Sequence, residues 1–165
     1  MPPKRVLLTL DGSQLAEAAF APAVELADLI DGELHLLAVV HVDPYAPPPS
    51  HVYGIGGYLW LPPTDEQAML PLEERTRLEK EKAQAYLERL AASIDRRAVI
   101  HVTDGDDAAR EILRYAENYG ISYIVMATHG RHGFSRLVHG SVTAGVVLST
   151  RVPVMVVRPQ PEARG

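Results

Sequence analysis

The chain predicts an α/β fold, an open and mostly parallel sheet with helices on both faces, and three observations lead there. Short apolar runs recur at Arg5 to Leu10, Glu33 to Val42, Arg97 to Val102, Ile121 to Ala127 and Pro153 to Val157. Stretches with apolar residues at helical spacing separate these runs. The runs are also apolar at consecutive positions, as strands covered by helices on both sides require. Five strands alternating with four helices fit one domain over residues 1–165, with a proline-rich insertion at 43–71.

The first run, RVLLTL, ends at Asp11-Gly12-Ser13 and feeds a helical pattern through Ile30. Pro22 falls inside that pattern and is expected to kink the helix or divide it in two, and Gly32 to stop it. Asp11 would face the crevice where open α/β sheets bind ligands; the alternative is that Asp11 or Ser13 caps the helix, and both roles can coexist. In the second run, ELHLLAVVHV, Val39 and Val40 stand near the strand end, and alternation lets one of the two face a pocket.

The insertion concentrates proline, glycine and aromatic residues, Trp60 among them. Its Gly54, Gly56 and Gly57 lack the strand, helix and spacing of a dinucleotide fingerprint. A loop of this length reads as a flap by the ligand crevice or an oligomer contact, set against a mobile surface loop. Leu72 to Ile94 is a helix whose stripe is Ala83, Leu87, Leu90 and Ile94, with EERTRLEKEK as a solvated face. After the third strand, Asp106 or Asp107 caps a helix carrying Ala109, Ile112, Leu113 and Ala116, closed by Gly120.

The fourth run leads into the most informative stretch, ISYIVMATHGRHGFSRLVHGSVT. Gly130, Gly133 and Gly140 permit close approach of backbone N–H groups to a ligand, and Ser141 is a good N-cap for the helix over Val142 to Ser149. Unpaired N–H groups and the positive helix end favour an anion. His129, Arg131, Ser141 and Thr143 are placed to add hydrogen bonds to phosphate oxygens. Taken alone, the glycines are equally consistent with a strand-to-helix turn that holds nothing. His129 and His132 have no carboxylate or cysteine beside them, which argues against zinc. The last run starts at Pro153, as suits an edge strand, yet is apolar on both faces and needs a cover.

The segment ATHGRHGFSRLVHGSV resembles the nucleotide loop of the universal stress protein family, whose ATP-binding members carry Gly, two residues, Gly, nine residues, then Gly-Ser or Gly-Thr. Gly130, Gly140 and Ser141 match; Ala127 stands where the first glycine would be. The resemblance implies the strand order 3-2-1-4-5 of an adenine nucleotide alpha-hydrolase-like fold, with Asp11 and the glycine loop meeting between strands one and four. It also implies ATP and Mg²⁺ as ligands. Met126, Ala127 and one of Val39 and Val40 would line the adenine. Asp11, with Gly12 and Ser13 in its loop, would meet ribose or the metal. His129, Gly130, Arg131, Gly133, Gly140, Ser141, Val142 and Thr143 would surround the phosphates. It further implies a homodimer paired through Val154 to Val157, acting as a regulatory switch on an unknown protein partner.

Enzymatic turnover is the rival expectation, and the sequence offers it little: no P-loop GxxxxGK[ST] occurs, and LDGSQ has a single glycine. His129, His132 and Asp11 are candidate bases for slow ATP hydrolysis without a placed nucleophile. A dimerisation module without nucleotide is the third alternative. With a formal net charge of −5 and no Lys/Arg stripe, no nucleic-acid surface is expected. Cysteine is absent, which removes disulfides and thiol chemistry. The apolar run near Met1 is too short for a secretory signal or a membrane span, so the cytoplasm is the expected location.

Overall fold

The computed structural model describes residues 3–42, 51–54, 57–60, 70–128 and 142–159. In chain order its elements are β1 (Arg5–Leu10), α1 (Gln14–Glu17), α2 (Phe20–Leu29), β2 (Glu33–Val40), β3 (His51–Gly54), β4 (Gly57–Trp60), α3 (Leu72–Ala91), β5 (Ala98–Asp104), α4 (Ala108–Asn118), β6 (Tyr123–Ala127), α5 (Val142–Ser149) and β7 (Val154–Val157). Five strands form the main sheet in the order β5-β2-β1-β6-β7, and every pairing in it is parallel. Counted within that sheet the order is 3-2-1-4-5, as expected. The chain moves outward from β1 to β2 and β5, then returns to build β6 and β7 on the other side. The crevice at this reversal lies between the C-terminal ends of β1 and β6.

Consecutive apolar residues in β1 serve two cores. Val6 and Leu8 point to one face, with Leu34, Leu36, Val125 and Leu87 of α3. Leu7 points to the other, with Leu37, Ile124, Met126, Ile112 of α4 and Val146 of α5. Ala19, Ala23 and Ala27, four residues apart, give α2 a buried stripe of small side chains that brings the helix close to the sheet.

Boundaries differ from the expected ones for identifiable reasons. The first helical pattern is divided, but the break falls at Ala18 and Ala19, and Pro22 sits in the first turn of α2, where its missing N–H costs nothing. Gly32 does not supply the left-handed stop of α2. Asp31 does, at φ 48°, and the Asp31 and Gly32 N–H groups close the end on Asp28 and Ala27 carbonyls at 3.2 and 2.9 Å. What Gly32 provides is room: a Cβ there would lie 2.8 Å from the Lys4 carbonyl oxygen. Strand β6 starts two residues later than expected because the Ile121 N–H is used in closing α4 on the Ala116 carbonyl at 2.9 Å. Strand β2 ends at Val40, not Val42, α3 ends at Ala91, and β5 runs on to Asp104.

The insertion is more regular than read from its composition. Strands β3 and β4 pair antiparallel, His51 against Trp60 and Gly54 against Gly57, as a two-stranded sheet of their own. The runs HVYG and GYLW, rich in β-formers and two residues apart, carry a hairpin signal that the prolines around them masked.

One polar cluster interrupts the second core. His35 is 3% exposed, and its Nδ1 lies 2.9 Å from the Tyr115 hydroxyl; Tyr115 stacks on Tyr119 and meets His101. Burial is the largest cause holding both histidines below the usual imidazole range; for His35 the Glu33 carboxylate opposes it and Arg5 reinforces it. The folded state therefore favours neutral imidazoles. This contribution to stability is full above the ordinary histidine value and is lost as pH falls through it toward the depressed folded values. Thermal unfolding between about pH 7 and about pH 5 should show wild type losing more stability than His35→Phe. A difference between the two proteins that does not change with pH contradicts this.

Candidate functional site

The β1–α1 loop is set by its own side chains. Asp11 Oδ1 accepts from the Ser13 N–H at 2.9 Å and from the Ser13 hydroxyl at 2.6 Å. Ser13 Oγ in turn accepts from the Ala16 N–H at 3.1 Å, so Ser13, not Asp11, caps α1. Gly12 sits between them at φ 81°, with nothing near its would-be Cβ; the requirement is conformational. Asp11 keeps a second carboxylate oxygen to which no described residue donates.

At the sheet reversal this loop borders a cleft of about 340 Å³, lined by the ends of β1, β2 and β6, by α1 and α4, and by the start of α5. Six expected residues meet there: Asp11, Val39, Met126, Ala127, Val142 and Thr143. The valine pair divides unevenly, since Val39 borders both cavities and Val40 only the second. Val39 shares the cleft with Met126, while Val40 lines a different cavity on the other side of the sheet, together with Gly12. Ser13 caps the helix and lines neither. Leu15, Ala108 and Ile112 complete the wall and were not expected in it. Ile112 reads as core in the sequence, and in the fold it is both core and wall.

Asp11 is the one charged residue among the described lining residues. The cleft thus offers apolar walls from Val39, Met126 and Ile112 and one carboxylate at its rim, a lining suited to a flat heteroaromatic ring attached to a hydroxylated group. The N-terminal turn of α5 opens at its mouth, where Val142 and Thr143 line it, and brings the positive end of the helix dipole. The Thr143 hydroxyl donates to the Ala127 carbonyl at 3.3 Å, tying α5 to the end of β6. His129, Gly130, Arg131, Gly133, Gly140 and Ser141, the remaining expected contacts, lie outside the described residues. Among the described residues no group of three or more histidine, aspartate or glutamate side chains is arranged to hold a metal ion, and no helix is long and apolar enough to cross a membrane.

The model of the universal stress protein family matches residues 51–158, well over half of the chain. The chain belongs to the universal stress protein family. Over 155 residues it is 26% identical to universal stress protein MJ0531 of Methanocaldococcus jannaschii, covering 94% of this chain and 82% of that relative. Among solved structures, the universal stress protein UspA from Lactobacillus plantarum superposes with a TM-score of 0.68 at 24% identity, over 96% of this chain and 99% of the other. A universal stress protein family member from Arabidopsis thaliana, solved with AMP bound, gives 0.60 at 16% identity, over 96% and 93% of the two chains. Two further universal stress proteins at 15% and 16% identity, TM-scores 0.61 and 0.54, are described in complex with cAMP and dAMP, the second from Archaeoglobus fulgidus. These likenesses establish the fold, and the family match establishes membership.

Proposed function

We propose that this universal stress protein binds an adenine nucleotide, ATP with Mg²⁺, in the cleft between β1 and β6, and works as a homodimeric nucleotide-dependent regulatory switch in a cytoplasmic stress response. The observation that carries the reading is the convergence of Asp11, Val39, Met126, Ala127, Val142 and Thr143 on one cleft at the sheet reversal. Structural neighbours described with AMP, cAMP and dAMP support the adenine class. Adenine would lie between Val39 and Met126, with the ribose at Asp11. The phosphates would lie toward α5, held by Thr143 and by Gly130, Arg131, Gly133, Gly140 and Ser141 of the loop.

Mg²⁺ fits a site with a single carboxylate, because it is usually held by one or two carboxylates plus the phosphates themselves. Asp11 has the uncommitted oxygen for it. A dimer through Val154 to Val157 is supported by the position of β7 at the sheet edge and by the exposure of Met155 on it. A single domain over residues 1–165, with the insertion as an elaboration, is part of the same reading. Slow hydrolysis is the alternative, with His129, His132 or Asp11 as base.

Calorimetric titration with ATP and Mg²⁺, run beside sedimentation, tests the proposal. Micromolar binding by a dimer is expected, with ATP recovered intact. Absence of binding contradicts the nucleotide reading, a monomer at micromolar concentration contradicts the dimer, and turnover abolished by His129→Ala with binding retained replaces the switch with an enzyme.

A further inference from the structure

Gly145 stands inside α5, where a glycine leaves a helix less stable than an alanine would. No left-handed turn calls for it, since its φ is not positive. The neighbouring helix does. A Cβ at Gly145 would lie 2.9 Å from the Ala109 Cβ of α4, well inside the separation of about 3.5–4.0 Å that two carbon atoms prefer. Glycine therefore lets α5 lie closer to α4 than any other residue at this position could.

Both helices contribute to the cleft. Ala108 and Ile112, on either side of Ala109 in α4, belong to its wall, and Val142 and Thr143, less than one turn before Gly145, stand at its mouth. If the contact were crowded, α5 would yield rather than α4. Helix α4 is fixed in the second core by Ile112, Tyr115 and Ala116, whereas α5 buries Ala144 and Val146 only. Eight residues make a rod of roughly 12 Å, so a displacement at Gly145 is carried to Thr143. The Thr143 bond to the Ala127 carbonyl, long at 3.3 Å, has no slack to absorb it. Val39 and Met126 do not depend on this contact, because β2 and β6 hold them in register with Thr103 and Val156.

We infer, on the nucleotide reading proposed for the cleft, that Gly145 is a positioning residue for its phosphate end and sets how strongly the protein prefers a nucleotide to the bare nucleoside. A methyl group at this position pushes the first turn of α5 back from the phosphates. Hydrogen bonds from that turn and from Thr143 to charged oxygens then lengthen and weaken. The adenine and ribose contacts, carried by the strands and by Asp11, stay in place.

Calorimetric titration of the full chain with ATP and Mg²⁺, and separately with adenosine, compares wild type, Gly145→Ala, Ala109→Gly and the double variant Gly145→Ala/Ala109→Gly. Gly145→Ala should bind ATP at least about tenfold more weakly, the loss expected for one hydrogen bond to a charged group, and adenosine within about threefold of wild type. In the double variant the opposing methyl is gone, and ATP affinity should return to within about threefold of wild type. Ala109→Gly alone loosens α4 without crowding α5 and should leave both affinities near wild type; a merely structural role would instead make the double variant worse than either single one. Equal loss for both ligands, unchanged ATP affinity in Gly145→Ala, or a double variant that binds ATP no better overturns the inference. Should Gly145→Ala not fold, the double variant decides: ATP affinity near that of wild type upholds the inference, and tenfold weaker binding overturns it. Wild type that binds neither ligand refutes the nucleotide reading and this inference with it; wild type that binds both, beside an unchanged Gly145→Ala, refutes this inference alone.

Discussion

Val39→Trp is expected to weaken binding of ATP with Mg²⁺ by at least about a hundredfold, roughly 2.7 kcal/mol, while leaving the fold in place. Val39 lines the cleft opposite Met126, and an indole there would occupy the space assigned to adenine. The side chain is only partly buried, sits near the end of β2 paired with Thr103 and packs on the margin of the second core, so the thermal midpoint of the variant is measured beside its affinity. Val40→Trp is the matched comparison, one residue along and on the opposite face, and should leave nucleotide affinity within a fewfold of wild type. Titration of the two proteins distinguishes a site on the Met126 face from one on the other. Equal loss in both, or loss in Val40→Trp alone, contradicts the assignment.

The second large effect concerns stability. Leu8→Ala removes a side chain with no exposed surface from the central strand, where it packs in the core with Leu36, Val125 and Ala23. A cost of about 2–5 kcal/mol follows from lost transfer energy and the cavity left behind. For a chain of this size that lowers the melting temperature by on the order of 10 °C. Leu29→Ala, at a leucine 84% exposed at the end of α2, should move it by about 2 °C or less. Differential scanning calorimetry of the two variants decides the matter, and comparable midpoints would mean that β1 does not organise the core.

How much of this could be read from the chain depended on the range of the interaction. Strands β1, β2 and β6 declare themselves as apolar runs because each is buried on both faces, a local property of six or so residues, whereas β7 is as apolar in sequence but lies at the sheet edge with Met155 exposed. For the loop from Ala127 to Thr143 the expectation rests on glycine spacing, which requires no partner elsewhere in the chain. Val39 and Val40 could not be told apart, because the face each meets follows from register with β1 and β5. Asp31 was passed over as the left-handed residue of α2 because Gly32, the more permissive type, stood next to it; the neighbouring Lys4 carbonyl that needs Gly32 is supplied from β1's approach. His35 and Tyr115 meet 80 positions apart, so their cluster leaves no mark in the local pattern. Leu15, Ala108 and Ile112 read as helix residues, and only the packing of α1 and α4 turns them into cleft wall.

The most direct test places the nucleotide rather than its affinity. With methionine methyls labelled, ATP and Mg²⁺ should move the Met126 resonance in a saturable way and leave that of Met155, on the sheet edge, nearly unchanged. A silent Met126 at saturating nucleotide, or a response confined to Met155, would contradict a nucleotide site in the cleft between β1 and β6.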